Sequence, residues 1–507
     1  MDPRTITETP RLSYLSAHPS GLAGLFFTEL WERFSYYGMR ALLTLFMVAP
    51  IANGGLAFAT EEAGRIYGNY TMAVYMLAIP GGFIADRIIG ARRAGLWGGW
   101  TIALGHYALA LPSLQTFYVG LLLVALGTGL FKPNISALVG ALYTPDDTRR
   151  DAGFSIFYMG VNIGAFLAPL VTGFLAQSDW FKGWLTARGF DPALSWHWGF
   201  AAAGVGMTVA MLIFARNSNG GLDGSPPQDP ETFRLRRGDD ERREIWKHGA
   251  IAIGGTLALL ALALLSDIDG YANLRWLFLV LPLAGIAYAA RQPSEDAQRL
   301  AAIGVLFIAA MLFWTIFEQA GTTIALFADK LTRNDVIGIP FPSSWFQAVN
   351  PVFVILLAPI FAGLWMRLGV SQPAPAIKFA LGLLFLSSSF LLMVPAATLA
   401  ASGKVSALWL IGLFFLQTVG ELLLSPVGLS TMTKLAPARM TGLVLGVWFL
   451  AAAFGNKLAG VLGGGFSSED PQALGQAFLA EAAVVAIAAG LLFLAAPWVK
   501  RLSRGSH

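Results

Sequence analysis

The sequence predicts an all-α membrane protein, two six-helix bundles with two extra transmembrane helices in the central linker. Three observations predict it. The 507 residues are 56% hydrophobic and 13% charged with a mean hydropathy of +0.62, and a soluble chain carries about twice that charged share. The apolar residues fall into stretches of about 20, the length a helix needs to cross a hydrocarbon core roughly 30 Å thick. The basic residues collect on alternate connections between those stretches. The 56 Gly and 15 Trp fit helices that approach closely in lipid and anchor at its interface. The absence of Cys excludes disulfide scaffolds, thiol catalysis and cysteine metal sites.

Fourteen spans follow in order. The first, 25–51, is apolar except for one charged face, and is too long and too charged for a cleavable signal peptide, so it is expected to remain in the mature protein. The span 62–85 ends at Asp86-Arg87, and 94–111 begins after Arg92-Arg93. Spans 116–140, 153–176 and 196–215 complete a first set of six. After a polar break come 248–265 and 274–290, almost without internal charge and read as peripheral packing. The second set of six is 300–328, 344–366, 377–396, 405–433, 440–465 and 474–498, the last closed by Lys500 and Arg501.

Threaded alternately, these spans place 23 of the 34 Lys and Arg on the side of the termini, and six on the other: Lys182, Arg188, Arg275, Lys330, Arg333 and Lys404. One missed or invented helix would invert every later loop and blur this asymmetry. Both termini are therefore expected in the cytoplasm. The pI of about 9.2 belongs to these loops, and no nucleic-acid partner is implied. The break at 216–247 holds seven basic and seven acidic residues and reads as a solvated cytoplasmic linker, with a short helix near 239–247. The expected division is a 1–24 tail, a first bundle 25–215, the linker 216–247, the extra pair 248–290, a second bundle 291–500 and a 501–507 tail. Two six-helix halves are the arrangement of major-facilitator transporters, whose substrate site lies between them near the midplane.

A charge at the bilayer centre costs about 2.5–3.5 kcal/mol even on permissive scales, so each needs a partner or a wet cavity. Glu29, Glu32, Arg33, Tyr36, Tyr37 and Arg40 fall within an arc of roughly 140° on the first helix. Facing lipid, the four charges would cost on the order of 10 kcal/mol. The stripe must face the interior. A ladder of internal salt bridges would explain the charges but not the adjacent tyrosines, which suit a cavity for a polar ligand. Lys132, before Pro133 and Asn134, sits where proline loosens the helix and is a partner for Glu29 or Glu32. Asn162 lies in the fifth span, and Glu318, Asn350 and Glu421 lie in the second half. Arg33 and Lys132 on one wall with Glu421 on the other suit a zwitterion. Arg65, Lys457 and Glu481, nearer helix ends, are expected to snorkel to the interface. Asp86 and Arg87 read as a gate or brace at a helix end. His106 reads as structural packing.

Three motifs in order carry a family resemblance. Glu29-x-x-Glu32-Arg33 is followed by Phe34-x-Tyr36-Tyr37-Gly38, Phe157-Tyr158-x-x-x-Asn162-x-Gly164 lies on the fifth span, and Phe317-Glu318-Gln319 on 300–328. Asp86-Arg87-x-x-Gly90-x-Arg92 adds the superfamily's loop signature. Over almost its whole length the sequence resembles the proton-coupled oligopeptide transporters of the major facilitator superfamily, in their bacterial form with fourteen helices. The resemblance implies that Arg33, Lys132 and Tyr37 hold a peptide carboxylate beside Tyr36, that Asn162, Asn350 and Glu421 receive the ammonium, that Trp314 and Trp448 shape side-chain pockets, and that Tyr75 touches the peptide backbone. It further implies a salt-bridge network of Glu29 and Glu32 with Arg33 and Lys132, and a Glu318–Arg40 pair that exchanges partners on protonation. Gly68 occupies the position of a proton-linked histidine in animal members, so coupling would fall to carboxylates.

The function this implies is proton-coupled import of di- and tripeptides by alternating access, in the bacterial inner membrane, by a monomer with no cofactor beyond the coupling proton. A buried carboxylate gains or loses a proton as a neighbouring cation leaves or returns, so partner exchange can drive the cycle. The runner-up is a proton-coupled carrier of nitrate or a small organic anion, against which Glu421 argues; a drug antiporter is a weaker third. A polytopic membrane enzyme would need paired intramembrane aspartates, H-E-x-x-H spacing or a base beside Ser136 or Ser430, and the sequence has none of these. No phosphate-binding G-x-x-x-x-G-K-[ST] is present either.

Overall fold

The structure, a computed structural model, describes residues 18–144, 147, 149–217, 239–336, 338–436, 441–468 and 470–502. Most of the tails predicted over 1–24 and 501–507 and of the linker over 216–247 lies outside the described residues.

Fourteen long helices are present among the described residues: α1 (Gly21–Val48), α2 (Thr60–Ile89), α3 (Ala91–Leu109), α4 (Leu114–Ala141), α5 (Arg150–Gln177), α6 (Ser195–Arg216), α7 (Asp239–Leu265), α8 (Leu277–Ala290), α9 (Glu295–Lys330), α10 (Val349–Leu368), α11 (Pro375–Ala400), α12 (Leu408–Leu435), α13 (Thr441–Gly463) and α14 (Pro471–Leu502). Twelve are apolar enough to be recognised as membrane spans by length and composition; α1, with its four charges, and α3 complete the set.

Helix ends follow local chemistry more closely than hydropathy. Apolar sequence continues to Ile51, yet α1 stops at Val48 because the residue before Pro50 is forced into an extended conformation, with Ala49 at φ −61° and ψ 141°. In α7 the helix starts at Asp239, where the span was expected from 248, because a charged segment can stay helical beyond the hydrocarbon.

Two breaks matter for the site. Around Pro80, which lacks an N–H, α2 is interrupted at Leu77, and it finishes in a π-helical turn over Ala85–Ile89. In α9 the α-helix ends at Phe317, winds as a 3₁₀ turn over Glu318–Gly321, and resumes at Thr323. Backbone groups freed inside a membrane need new partners. Here Thr44 Oγ1 of α1 donates to the Gly321 carbonyl at 2.6 Å, and Gln347 Nε2 donates to that of Ala320.

Helices α1–α6 pack mainly on one another, as do α9–α14. Helix α8 lies against α9 and α7 against the second piece of α2. Much of the pair's outer surface, including Ile251, Leu257, Leu264, Val280 and Leu281, remains exposed, as lipid-facing residues do in a membrane protein.

The two bundles meet on the face opposite the termini. There α5 is tied to the turn before α10 by Gln177 Nε2 to Ser343 Oγ at 3.0 Å, and by Trp345 Nε1 to the Leu170 carbonyl at 3.1 Å. Helices α2 and α13 touch backbone to backbone. A Cβ at Gly460 would lie 2.4 Å from the Gly64 carbonyl oxygen and 2.6 Å from the Gly68 Cα, while one at Gly68 would lie 3.0 Å from the Lys457 carbonyl oxygen. This crossing has no room for a histidine at position 68. Gly460→Leu is therefore expected to cost about 1–3 kcal/mol of overpacking, read as a lower thermal unfolding midpoint in detergent; an unchanged midpoint would mean that the crossing opens freely.

Candidate functional site

The polar stripe of α1 turns inward. Glu29, Glu32, Arg33 and Tyr36 are all buried, and Arg33 meets both carboxylates on the same helix. Arg33 Nε lies 3.1 Å from Glu29, its NH2 donates to Glu32 at 2.7 Å, and its guanidinium stands 5.3 Å from the Tyr36 ring centre. A second contact joins Arg33 Nε to Glu32. The other Glu29 oxygen is buried without a hydrogen-bond partner among the described residues. Lys132 of α4 places its ammonium 4.2 Å from the Tyr75 ring centre of α2. Among the described residues it makes no ion pair with Glu29 or Glu32, correcting the expected pairing. Arg33 takes one oxygen of Glu29 and both of Glu32, and Lys132 rests instead in a cation–π contact.

Two turns further along α1, Arg40 donates to the Tyr67 hydroxyl of α2 at 2.6 Å and forms an ion pair with Glu318 of α9. Arg40 and Glu318 belong to different bundles, and the pair occupies the broken turn of α9. In the second bundle, Asn350 Nδ2 of α10 donates to Glu421 of α12 at 3.0 Å and to Thr418 at 2.9 Å. The Pro351 that follows Asn350 sits in the first turn of α10, where its missing N–H is tolerated.

Tyr37, Tyr75, Lys132, Asn350 and Glu421 keep partial exposure despite lying deep among the helices, and Tyr158 is half exposed. That combination describes the lining of an internal chamber. Its first-bundle wall bears Arg33 and Lys132, and its second-bundle wall bears Asn350 and Glu421.

The remaining candidates are placed unevenly. Asn162 is buried and donates to the Tyr158 carbonyl at 3.0 Å. Trp314 stands edge-on to Phe313 and Phe317, with its buried Nε1 unpartnered among the described residues. Trp448 is buried against Phe379, 6.3 Å between ring centres, and closes over Gly428. Asp86 and Arg87 are exposed in the π turn of α2 and take part in no ion pair among the described residues.

Residues 93–222 and 251–475 match the sequence profile of the POT family. The chain belongs to the POT family. It is 38% identical to the peptide transporter YePEPT of Yersinia enterocolitica over 99% of both chains. It is also 38% identical to a di-/tripeptide transporter of Lactococcus lactis, over 85% of this chain and 86% of that one. A crystal structure of a mutant peptide transporter POT in complex with alafosfalin superposes with a TM-score of 0.82, at 38% identity and 96% coverage of both chains. The chain is accordingly a multi-pass membrane transporter with two six-helix bundles and an added helix pair.

In this POT-family chain two charges expected to snorkel are instead held by partners inside the protein. Lys457 of α13 has no exposed surface; its ammonium lies 2.6 Å from Asp267 Oδ2 and 2.7 Å from Asn69 Oδ1. Glu481 of α14 accepts from Gln319 at 2.6 Å, and Gln319 accepts from Thr323 at 2.7 Å. In both cases a partner on a neighbouring element holds the charge in place, and for Lys457 it makes full burial cheaper than reaching for the interface. Arg65 donates to the Asp267 carbonyl at 3.3 Å. Tyr67, Asn69, Asp267 and Thr418 are not singled out by the sequence, and Gln319 enters there only as part of the Phe317-Glu318-Gln319 motif. Asn69, an amide in an apolar span, was the available signal.

Proposed function

We propose that this POT-family member is a proton-coupled symporter that imports di- and tripeptides by alternating access. The observation that carries this reading is that the first bundle holds Arg33 and the partly exposed Lys132 deep among its helices while the second holds the Asn350–Glu421 pair, a charge pattern complementary to a zwitterion. Arg33, Lys132 and Tyr37, with Tyr36 behind them, would take the peptide carboxylate. Asn162, Asn350 and Glu421 would take its ammonium, Trp314 and Trp448 would bound the side-chain pockets, and Tyr75 would meet the backbone. The peptide-transporter names of the relatives support the same substrate class. An anion carrier gains nothing from Glu421 facing its cargo.

The coupling ion is the proton, exchanged at Glu318 against Arg40 and at Glu29 and Glu32 against Arg33, with no cofactor. Basic-residue placement supports cytoplasmic termini in a bacterial inner membrane, a domain division at the charged linker 216–247, and Asp86–Arg87 as a gate element on the cytoplasmic face. The bundles are then joined on the outer face, the arrangement of an inward-directed chamber. A monomer suffices, since the chamber is built from one chain. One proton crossing about 100 mV supplies roughly 2.3 kcal/mol and one pH unit about 1.36 kcal/mol, together about 500-fold accumulation of a neutral zwitterion.

Proteoliposomes test the reading. Labelled dialanine is expected to accumulate only with an acid-outside gradient, and unlabelled di- and tripeptides are expected to compete for it. Competition by nitrate with none by peptides would replace this reading with the anion-carrier one.

A further inference from the structure

The transport mechanism above uses nothing from the helix pair α7–α8, yet the turn between those helices enters the seam between the bundles. Asp267 follows the end of α7 and reaches both sides at once. On the second bundle its Oδ2 pairs with the fully buried Lys457 of α13 at 2.6 Å. On the first bundle the same oxygen accepts from Asn69 Nδ2 of α2 at 2.7 Å, and its carbonyl accepts from Arg65 at 3.3 Å. Asn69 Oδ1 closes the triangle onto Lys457 at 2.7 Å. Arg275, in the 3₁₀ turn just before α8, donates to the Ser266 carbonyl at 3.1 Å and steadies the turn.

This triangle lies beside the glycine crossing of α2 and α13, on the face opposite the termini. When that face opens, α2 and α13 must part, and the contacts of Asn69 and Arg65 with the seam must break. The ion pair need not break. Helix α8 rides on the second bundle: Phe278 packs on Phe454 of α13 at 4.9 Å between ring centres, and Ile286 fills the space above Gly304 of α9. Helix α7 meets the first bundle mainly through its remote end, where Gly249 lies over Phe83, so the turn bearing Asp267 can leave with Lys457 and the buried ammonium keeps its counter-ion.

We propose that Asp267 is a positioning residue of the transport cycle: carried by the α7–α8 hairpin, it neutralises Lys457 and latches the second bundle to Asn69 and Arg65, setting how readily the seam opposite the termini opens. The proposal rests on the alternating-access reading but is independent of the peptide as cargo. Without the carboxylate, the closed state holds an uncompensated ammonium that the open state hydrates, so Asp267→Asn shifts the balance toward opening.

The chain has no Cys, so one introduced thiol reports access. Thr44 is buried at the α1–α9 seam, where its hydroxyl meets the Gly321 carbonyl. In a Thr44→Cys background, labelling by a membrane-impermeant maleimide from that face is expected to be about tenfold faster with Asp267→Asn. Adding Lys457→Gln, which removes the orphaned charge, should return labelling most of the way to the parental rate. Asn69→Ala, which leaves the ion pair intact and cuts the Asn69 part of the latch to the first bundle, should also speed labelling, and it carries the test if Asp267→Asn does not fold. A parental rate in Asn69→Ala together with a parental rate or no folded protein in Asp267→Asn overturns the proposal. So does acceleration that Lys457→Gln fails to reverse. Because the readout needs no substrate, its failure is distinguishable from failure of the peptide reading.

Discussion

Replacing Glu318 by Gln is expected to abolish accumulation of dialanine while leaving its exchange across the membrane. The ratio of internal to external peptide should fall from about 500 under one pH unit and 100 mV to about 1. The expectation comes from where the pair sits. Glu29 and Glu32 meet Arg33 within a single helix, so their protonation changes charge without directly loosening one bundle from the other. Glu318 meets Arg40 across the seam, with Tyr67 holding the guanidinium from α2. A bound proton can shift a conformational equilibrium only by the difference in its affinity for the two states, and a carboxylate that has its cation in one state and loses it in the other supplies that difference. Glutamine keeps the shape, removes the titration and leaves Arg40 without its counter-charge in both states. The cycle should still carry peptide downhill. Proteoliposomes with imposed gradients separate accumulation from counterflow. Wild-type accumulation by Glu318→Gln would remove Glu318 from coupling and move the role to Glu29 and Glu32.

What the sequence disclosed, and what it concealed, divide along one physical line. Lipid punishes charge, so a charged stripe on a 28-residue apolar helix could only face inward, and alternate basic loops fixed the number of crossings. Both inferences need only the helix itself and its solvent. The misjudged residues are those whose environment comes from elsewhere in the chain. Lys457 was assigned by its distance from a helix end, but its depth is decided by Asp267, 190 residues away in the turn after α7. Glu481 likewise depends on Gln319. Lys132 was matched to acids by sign, whereas Arg33 reaches those acids first from one turn of the same helix. The break at Glu318 was also hidden, since no proline marks it; the hydrogen bonds from Thr44 and Gln347 that stabilise it are visible only in three dimensions.

The charge pattern of the chamber makes a second prediction large enough to decide the substrate class. Wild-type protein should take dialanine but discriminate strongly against its amidated and its N-acetylated forms, since each loses one end of the zwitterion. The variants should lose those discriminations separately. Arg33→Ala removes one of two cations facing the carboxylate, and a charge-assisted hydrogen bond is worth about 1.5–3 kcal/mol, so dialanine affinity should fall about 10- to 150-fold while the amidated peptide changes little. Glu421→Gln keeps the amide contact from Asn350, now 3.0 Å from the acid, but removes the negative charge. Dialanine affinity should again fall about tenfold or more, this time with little change for the N-acetylated peptide. Helix packing cannot mimic this crossed pattern, because a distorted chamber would weaken every ligand alike. Equilibrium binding of the three ligands to wild type and the two variants, in detergent and without a gradient, provides the comparison. If both variants lost dialanine and both blocked peptides equally, Arg33 and Glu421 would be supports of the chamber rather than its two poles.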